Sequence, residues 1–377
     1  MSWRRTWAIA RKEFLHILRD PRSLAMALGL PLTMLLLFGY ALTLDVDRIS
    51  TVLYDQSQTP ESRDLVRQFQ GSRYFEFRGS VPDYPTIEKM IDRNQCLMAL
   101  VIPRDYQRNL LLNRPAQVQV ILDGSDSNTA SIALGYTEAV LQSYSQKLRT
   151  EAMIRKTGRK VDPPVDPRLR VWYNHELKSR NYIVPGLIGV IMMIIAALLT
   201  SLTIAREWEM GTMEQLLSTP VRPAELVLGK VSAYFLLGLV DILMIIGVGI
   251  HLFKVPLRGS AIFLLVTSCI FLFGALAWGI LLSAITRSQT LAFQMGVISS
   301  FLPAFMLSGF IFAIENMPWV IQQFTRVVPA RYFITIVKGI FLKGIGLEIL
   351  YGEVIFLLCF AALVFAAATR KLREKIA

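Results

Sequence analysis

The 377-residue chain has no G-x-x-x-x-G-K-[ST] phosphate loop, so it does not bind and hydrolyse ATP by that route. Its three cysteines, Cys96, Cys269 and Cys359, are far apart, and two lie inside apolar runs, which suits neither a disulfide framework nor a zinc site. The three histidines, His16, His175 and His251, are equally scattered, so no metal site is expected. Paired carboxylates of the kind a proton relay uses are missing from the apolar runs. The net charge is +12, but no nucleic-acid-binding module accompanies it.

What is abundant is apolar surface. Hydrophobic residues make up 53% of the chain, and the mean hydropathy is +0.45. Several runs reach about 20 residues, the length that crosses about 30 Å of hydrocarbon. The chain reads as a polytopic membrane protein, and its positive charge as a matter of orientation and anionic lipid.

Residues 1–22 read as a cytoplasmic amphipathic connecting helix. Trp3, Trp7, Ala10, Phe14, Ile17 and Leu18 form one stripe and Arg5, Lys12, His16 and Arg19 lie opposite, so Trp3, Trp7 and Phe14 are expected at the membrane interface. Asp20-Pro21 ends the helix. The first span, 23–44, contains Gly29 and Pro31; its apolar core is too long for a signal peptide, so it reads as an uncleaved anchor.

Residues 45–181 hold most of the charges and no spanning run. Strands are expected at Ser50–Tyr54, Tyr74–Arg78, Leu97–Ile102 and Val118–Leu122, with helices near 61–70, 84–94 and 104–113 between them, which makes a small α/β domain. A long helix follows from Ser127 to Lys156, with Asp126 as N-cap and Gly158 past its end. Val161–Pro167 is a proline-stiffened linker, and Leu169–Tyr173 a possible last strand. The Asp123-Gly-Ser-Asp126 cluster between a strand and a helix reads as a turn with a cap rather than a catalytic loop.

Residues 182–369 carry five further spans, at 182–205, 226–250, 261–285, 290–313 and 347–369, followed by a basic cytoplasmic tail, 370–377. Pro303, Ser308 and Gly309 interrupt the fifth. With the semi-polar stretch 314–346, read as interfacial or partly inserted helices and containing Pro318, they make either a mobile outer gate or a simple kink. Asp241 is the one clear departure from apolarity inside a span. A charge there costs about 2.5–3.5 kcal/mol or more at the bilayer centre. It either lines a substrate path or forms a hydrogen bond fixing two helices.

Counting basic residues near span ends gives 14 on the amino-terminal side and 6 on the other. Both termini and loop 206–220 are therefore expected inside, and 45–181 outside. That loop, Arg-Glu-Trp-Glu-Met-Gly-Thr-Met-Glu-Gln-Leu-Leu-Ser-Thr-Pro, is expected as a helix with Met210, Met213, Leu216 and Leu217 on one face and Glu207, Gly211, Glu214 and Ser218 on another. It suits either docking of another protein or lying on lipid.

Three blocks then carry a resemblance: Arg-Lys-Glu-Phe-Leu-His-Ile-Leu-Arg-Asp-Pro-Arg within 11–40; residues 206–230; and Leu-Ser-Gly-Phe-Ile-Phe-Ala-Ile-Glu-Asn-Met-Pro-Trp with Val-Val-Pro-Ala-Arg-Tyr within 307–332. Together they resemble the permease subunit of ABC-2 type exporters that carry a large extracytoplasmic domain. Where that family often has proline, this chain has Ala313.

The resemblance implies a mainly α membrane protein: six transmembrane helices plus an α/β extracytoplasmic domain between the first and second spans, in a bacterial inner membrane. It implies that Arg206, Glu207, Glu209, Gly211, Thr212 and Glu214 belong to a coupling helix that docks on a separate ABC ATPase. ATP and magnesium are then used by that partner, not by this chain, which is a transport subunit rather than an enzyme. It further implies a second permease, identical or paralogous, and, for export across a two-membrane envelope, a periplasmic adaptor and an outer-membrane channel. Hydrophobic or amphipathic cargo is compatible with the spans. A membrane-anchored receptor or scaffold, and an ion-coupled secondary transporter, are the competing readings.

Overall fold

Apolar runs of this length have one way to satisfy their backbone in lipid, which is to close every hydrogen bond within a helix. The computed structural model describes residues 2–42, 48–112, 114–157, 172–174 and 178–376 and is mostly helical. The chain divides into two units, Met1–Thr43 with Arg170–Ala377, and Leu44–Leu169.

The chain begins with α1 (Trp3–Arg19) and α2 (Pro21–Ala41). The second unit follows as β1 (Ile49–Asp55), α3 (Pro60–Gln70), β2 (Phe75–Ser80), α4 (Tyr84–Asp92), β3 (Met98–Ile102), α5 (Tyr106–Leu111), β4 (Gln119–Leu122) and α6 (Ser127–Thr157). Its sheet runs β2-β1-β3-β4. The first two pairings are parallel and β3–β4 is antiparallel. Every residue of β3 is buried, as expected of a strand covered on both faces. Met98, Leu100 and Ile102 pack with Leu65 and Phe69 of α3, and Ala99 and Val101 with Ile87 of α4. All four expected strands are present within a residue or two of their expected ends.

The Asp123–Asp126 segment is a turn: the Ser125 N–H donates to Asp123 Oδ1 at 2.9 Å, and the Thr129 hydroxyl donates to Asp126 Oδ2 at 2.5 Å. Gly158, the linker 161–167, His175 and the start of the strand expected at 169 lie outside the described residues. Trp172 and Tyr173, at that strand's expected end, are not in a strand.

The remaining helices are α7 (Ser179–Glu209), α8 (Thr212–Leu217), α9 (Pro223–His251), α10 (Ala261–Thr286), α11 (Gln289–Met306), α12 (Trp319–Thr325), α13 (Pro329–Lys338) and α14 (Leu347–Ile376). Apolar all round, α7 is buried for most of its length. It packs against α2, α9, α10, α11 and α13, while α10 also packs on α14 and α1 on α9. Side-chain hydroxyls bond α7 to α10: Thr200 Oγ1 donates to the Leu276 carbonyl at 2.8 Å. Ser283 Oγ accepts from the Ile204 and Ala205 N–H groups at 3.0 and 2.9 Å.

Among the described residues, five helices are long and apolar enough to cross a membrane: α2, α7, α9, α10 and α14. The fifth expected span differs. Expected to run 290–313, it stops as α11 at Met306. The Ser308 hydroxyl bonds back to the Ala304 carbonyl and Gly309 turns left-handed at φ 77°, which ends the helix. The 314–346 stretch also resolves into unlike parts. Trp319, Val320 and Phe324 of α12 are exposed, whereas Phe333, Ile334 and Val337 of α13 are buried. Phe333 stacks on Phe271 at 4.2 Å, so α13 packs into the bundle. A single π-helical turn, Gly339–Lys343, follows it.

α7 and α10 approach closely at Gly279, where an added Cβ would sit on the Thr200 hydroxyl and the Ala197 carbonyl oxygen. Gly279→Ala should therefore cost about 1–3 kcal/mol as an overpacked contact. Gly247→Ala, with nothing within 4 Å, should stay within about 0.5 kcal/mol of wild type. Thermal unfolding of both variants in detergent checks this.

Candidate functional site: the α1–α7–α9 junction

Lysine in an apolar helix needs a partner, and Lys230, in the second turn of α9, is 1% exposed. Its Nζ lies 3.0 Å from Glu13 Oε1 and 3.0 Å from Glu207 Oε1. Lys12 Nζ completes the cluster at 3.3 Å from Glu13 and 3.2 Å from Glu207. Two cations and two carboxylates from α1, α7 and α9 thus neutralise one another at one end of the bundle. Burial disfavours charge on Glu13, but Lys230 and Lys12 outweigh it and hold its carboxyl below the ordinary 4.5. Burial likewise opposes charge on Lys12, and Glu13 and Glu207 prevail, holding it above 10.5.

Further contacts widen the junction. The Ser2 N–H donates to Glu225 Oε1 at 2.5 Å and the Arg222 N–H to Glu225 Oε2 at 3.1 Å. Arg5 lies 4.0 Å from Glu225 and also donates to the Pro220 carbonyl. Glu209 accepts from the Gln289 N–H at 2.8 Å and from Gln289 Nε2 at 2.5 Å, satisfying a free donor in the first turn of α11. Arg287 lies over the Trp208 ring, 4.5 Å from its centre.

These positions change the expected coupling surface. Residues 206–220 are not one helix: α7 runs on to Glu209, Gly211 turns left-handed at φ 71°, and α8 starts afresh at Thr212. Glu207 and Glu214 therefore do not share a face. Glu207 is 6% exposed and turned into the ion cluster, and Arg206 and Thr212 are half-buried, while Glu209, Gly211 and Glu214 are exposed. Met210 is exposed and Met213 buried, so the expected apolar face is divided too.

The connecting helix divides its faces in the same junction. Thr6, Ile9, Ala10, Glu13 and Ile17 are the buried residues of α1, which packs on α9, and Phe14 packs beside Ile17, Ala233 and Leu237. Trp3 and Trp7 stay exposed. Glu13 meets Lys230 of α9, Ile9 packs at Gly229, and the Thr6 hydroxyl bonds back to the Ser2 carbonyl at 3.3 Å.

Elsewhere, Pro303, Ser308 and Gly309 come together where α11 ends, and the Gly309 carbonyl accepts from the Tyr182 hydroxyl at 3.1 Å and from Lys338 Nζ at 3.3 Å. Lys338 also lies over the Tyr182 ring at 3.4 Å. Pro318 is exposed, just before α12. Asp241 is buried apart from both groups and lines a small cavity with Pro31. Glu13, Lys230, Glu225, Tyr182 and Lys338 were not singled out from sequence. Lys230 had one visible signal, a lone cation in the first turns of a long apolar run.

Known proteins resemble this chain along nearly its whole length. The family described as ABC-2 family transporter protein matches residues 21–370. The chain is 37% identical to the probable multidrug ABC transporter permease YbhS of Escherichia coli (strain K12), over 100% of this chain and 98% of that protein. It is 31% identical to the probable multidrug ABC transporter permease YbhR of the same strain, over 99% of each. It is 27% identical to the inner membrane transport permease YhhJ, over 85% of this chain and 84% of that one.

The charge cluster sets the pH range of the junction. The folded-state carboxyl of Glu13 is lowered, so its contribution is present above pH 4.5 and is lost as pH falls through the lowered value. Lys12 is raised, so its contribution is present below pH 10.5 and lost as pH rises through the raised value. Lys230→Met leaves the two buried carboxylates with only the more exposed Lys12, a loss of about 3–5 kcal/mol. Trypsin cleavage at Arg4, Arg5 and Arg11 should then accelerate at pH 7. Unchanged protection would mean that the cluster does not hold α1.

Proposed function

Because the chain belongs to the ABC-2 family of transporter proteins, we propose that it is the membrane permease subunit of an ATP-driven exporter energised by a separate ATPase chain. It is a multi-pass membrane protein. In this reading α2, α7, α9, α10, α11 and α14 cross a bacterial inner membrane with both termini cytoplasmic and residues 45–181 extracytoplasmic. The basic-residue balance supports that orientation.

The observation that carries the proposal is α8. This short helix presents exposed Glu214 and joins α7 through the single left-handed residue Gly211. It is flanked by segments that Lys230 and Glu225 pin to α1. The ATPase docks on α8, and closure of two ATPases around ATP pushes each α8 against the end of α7. Fixed by the ion cluster, α7 cannot yield locally, so the displacement passes into the bundle and drives amphipathic cargo outward. Two permease copies, or this chain and a paralogue, enclose the path. A periplasmic adaptor and an outer-membrane channel would complete export across two membranes, and the α/β unit is the surface offered to them.

Glu214 rather than Glu207 is the clean probe of docking, because lysine at position 207 would disrupt the ion cluster itself. Glu214→Lys should lower retention of a phosphate-loop ATPase on the purified permease by about tenfold, some 1.4 kcal/mol, without changing the permease's elution profile. Unchanged retention and transport would remove α8 as the docking element. If wild-type permease retains no ATPase in mild detergent, the receptor and secondary-transporter readings gain.

A further inference from the structure

Asp241 is 4% exposed, and neither carboxyl oxygen has a hydrogen-bond partner among the described residues. It therefore does not act as a hydrogen bond fixing α9 to a neighbour. It borders a cavity lined by Pro31 of α2, Ile191, Met192 and Ile195 of α7, and Leu272 of α10. All four contributing helices belong to one chain, so a second copy packed outside the bundle does not supply the missing partner. What does must enter the cavity.

The walls limit what that is. A calcium- or magnesium-like ion needs six or more oxygen ligands, and the cavity offers one carboxylate among aliphatic side chains. An organic cation with an apolar body needs less: one counter-charge and apolar walls, with Met192 as an adaptable surface. Resting on the permease reading above, we propose that Asp241 is the counter-charge for the positive group of a lipophilic organic cation carried through the bundle.

The cavity holds about 10 Å³ of free space, room for about one water, so it must widen to take such a cation. Opening it falls to α2. Pro31 removes a backbone donor from the wall of the cavity, where a helix bends most readily. Much of the opposite side of α2 is unpacked, with Met26, Leu30 and Leu37 exposed.

The test uses the full chain in phosphatidylcholine nanodiscs without ATPase. Tetraphenylphosphonium and tetraphenylborate share a shape and differ in charge. Wild type should bind the phosphonium saturably and the borate not. Asp241→Asn should weaken phosphonium binding about tenfold or more, and Asp241→Glu should keep it. A folded Asp241→Asn protein that binds the phosphonium like wild type overturns the proposal, as does a folded wild type with no saturable binding.

A second measurement needs no variant. Dicyclohexylcarbodiimide modifies carboxyls in apolar surroundings, and saturating phosphonium should slow its reaction at Asp241, located by mass spectrometry. Reaction at an unchanged rate points to a proton site only and overturns the assignment. Because no ATPase is present, failure here leaves the exporter reading intact, and loss of ATPase retention would not alter this binding result.

Discussion

A single buried ammonium group organises one end of this protein. Lys230 meets Glu13 and Glu207 at equal distances, with Lys12 bridging the same two carboxylates from the surface. In a low-dielectric bundle, charge persists only where geometry compensates it, so α1, the end of α7 and the start of α9 are held in one arrangement. Other contacts follow from that docking. With α1 in place, Ser2 and Arg5 reach Glu225. With α7 extended to Glu209, that residue reaches Gln289 and ties down α11.

The other end of α7 holds a different feature. Tyr182, in its first turn, donates to the Gly309 carbonyl where α11 breaks, and Lys338 donates to the same oxygen. The 31 residues of α7, at 1.5 Å each, make a rod of about 46 Å. One helix thus joins the ion cluster to the break in α11. Beyond Pro185 its interior is buried and bonded to α10 by Thr200 and Ser283, which favours movement of that stretch as a body over bending. This gives the junction around α8 a mechanical route to the Tyr182–Gly309–Lys338 contact. Asp241 lies on α9, which packs against the same helix.

Local signals made most of the architecture readable from sequence. Hydropathy runs marked the long helices, since a spanning helix has no other way to close its backbone. Runs rich in β-branched and aromatic residues marked the four strands, buried β3 among them. The amphipathic pattern of α1 showed a helix but not its packing on α9, because Glu13 looks solvent-facing until Lys230 is placed beside it. For the same reason, the acidic face expected of 206–220 was an artefact of continuing one helical wheel across Gly211. Left-handed geometry there, and again at Gly309, resets the phase of the chain. A lone glycine does not announce that in sequence. Lys338 and Tyr182 were hidden because their shared partner is a backbone carbonyl, which has no signature of its own.

The central claim is that Lys230 and the carboxylates act as one unit. A double-mutant cycle on unfolding free energy in mixed micelles tests it most directly, using Glu13→Gln, Lys230→Met and the two combined. The account predicts a coupling of about 1–3 kcal/mol, with the double variant less destabilised than the sum of the single ones. Additivity within about 0.5 kcal/mol would contradict it.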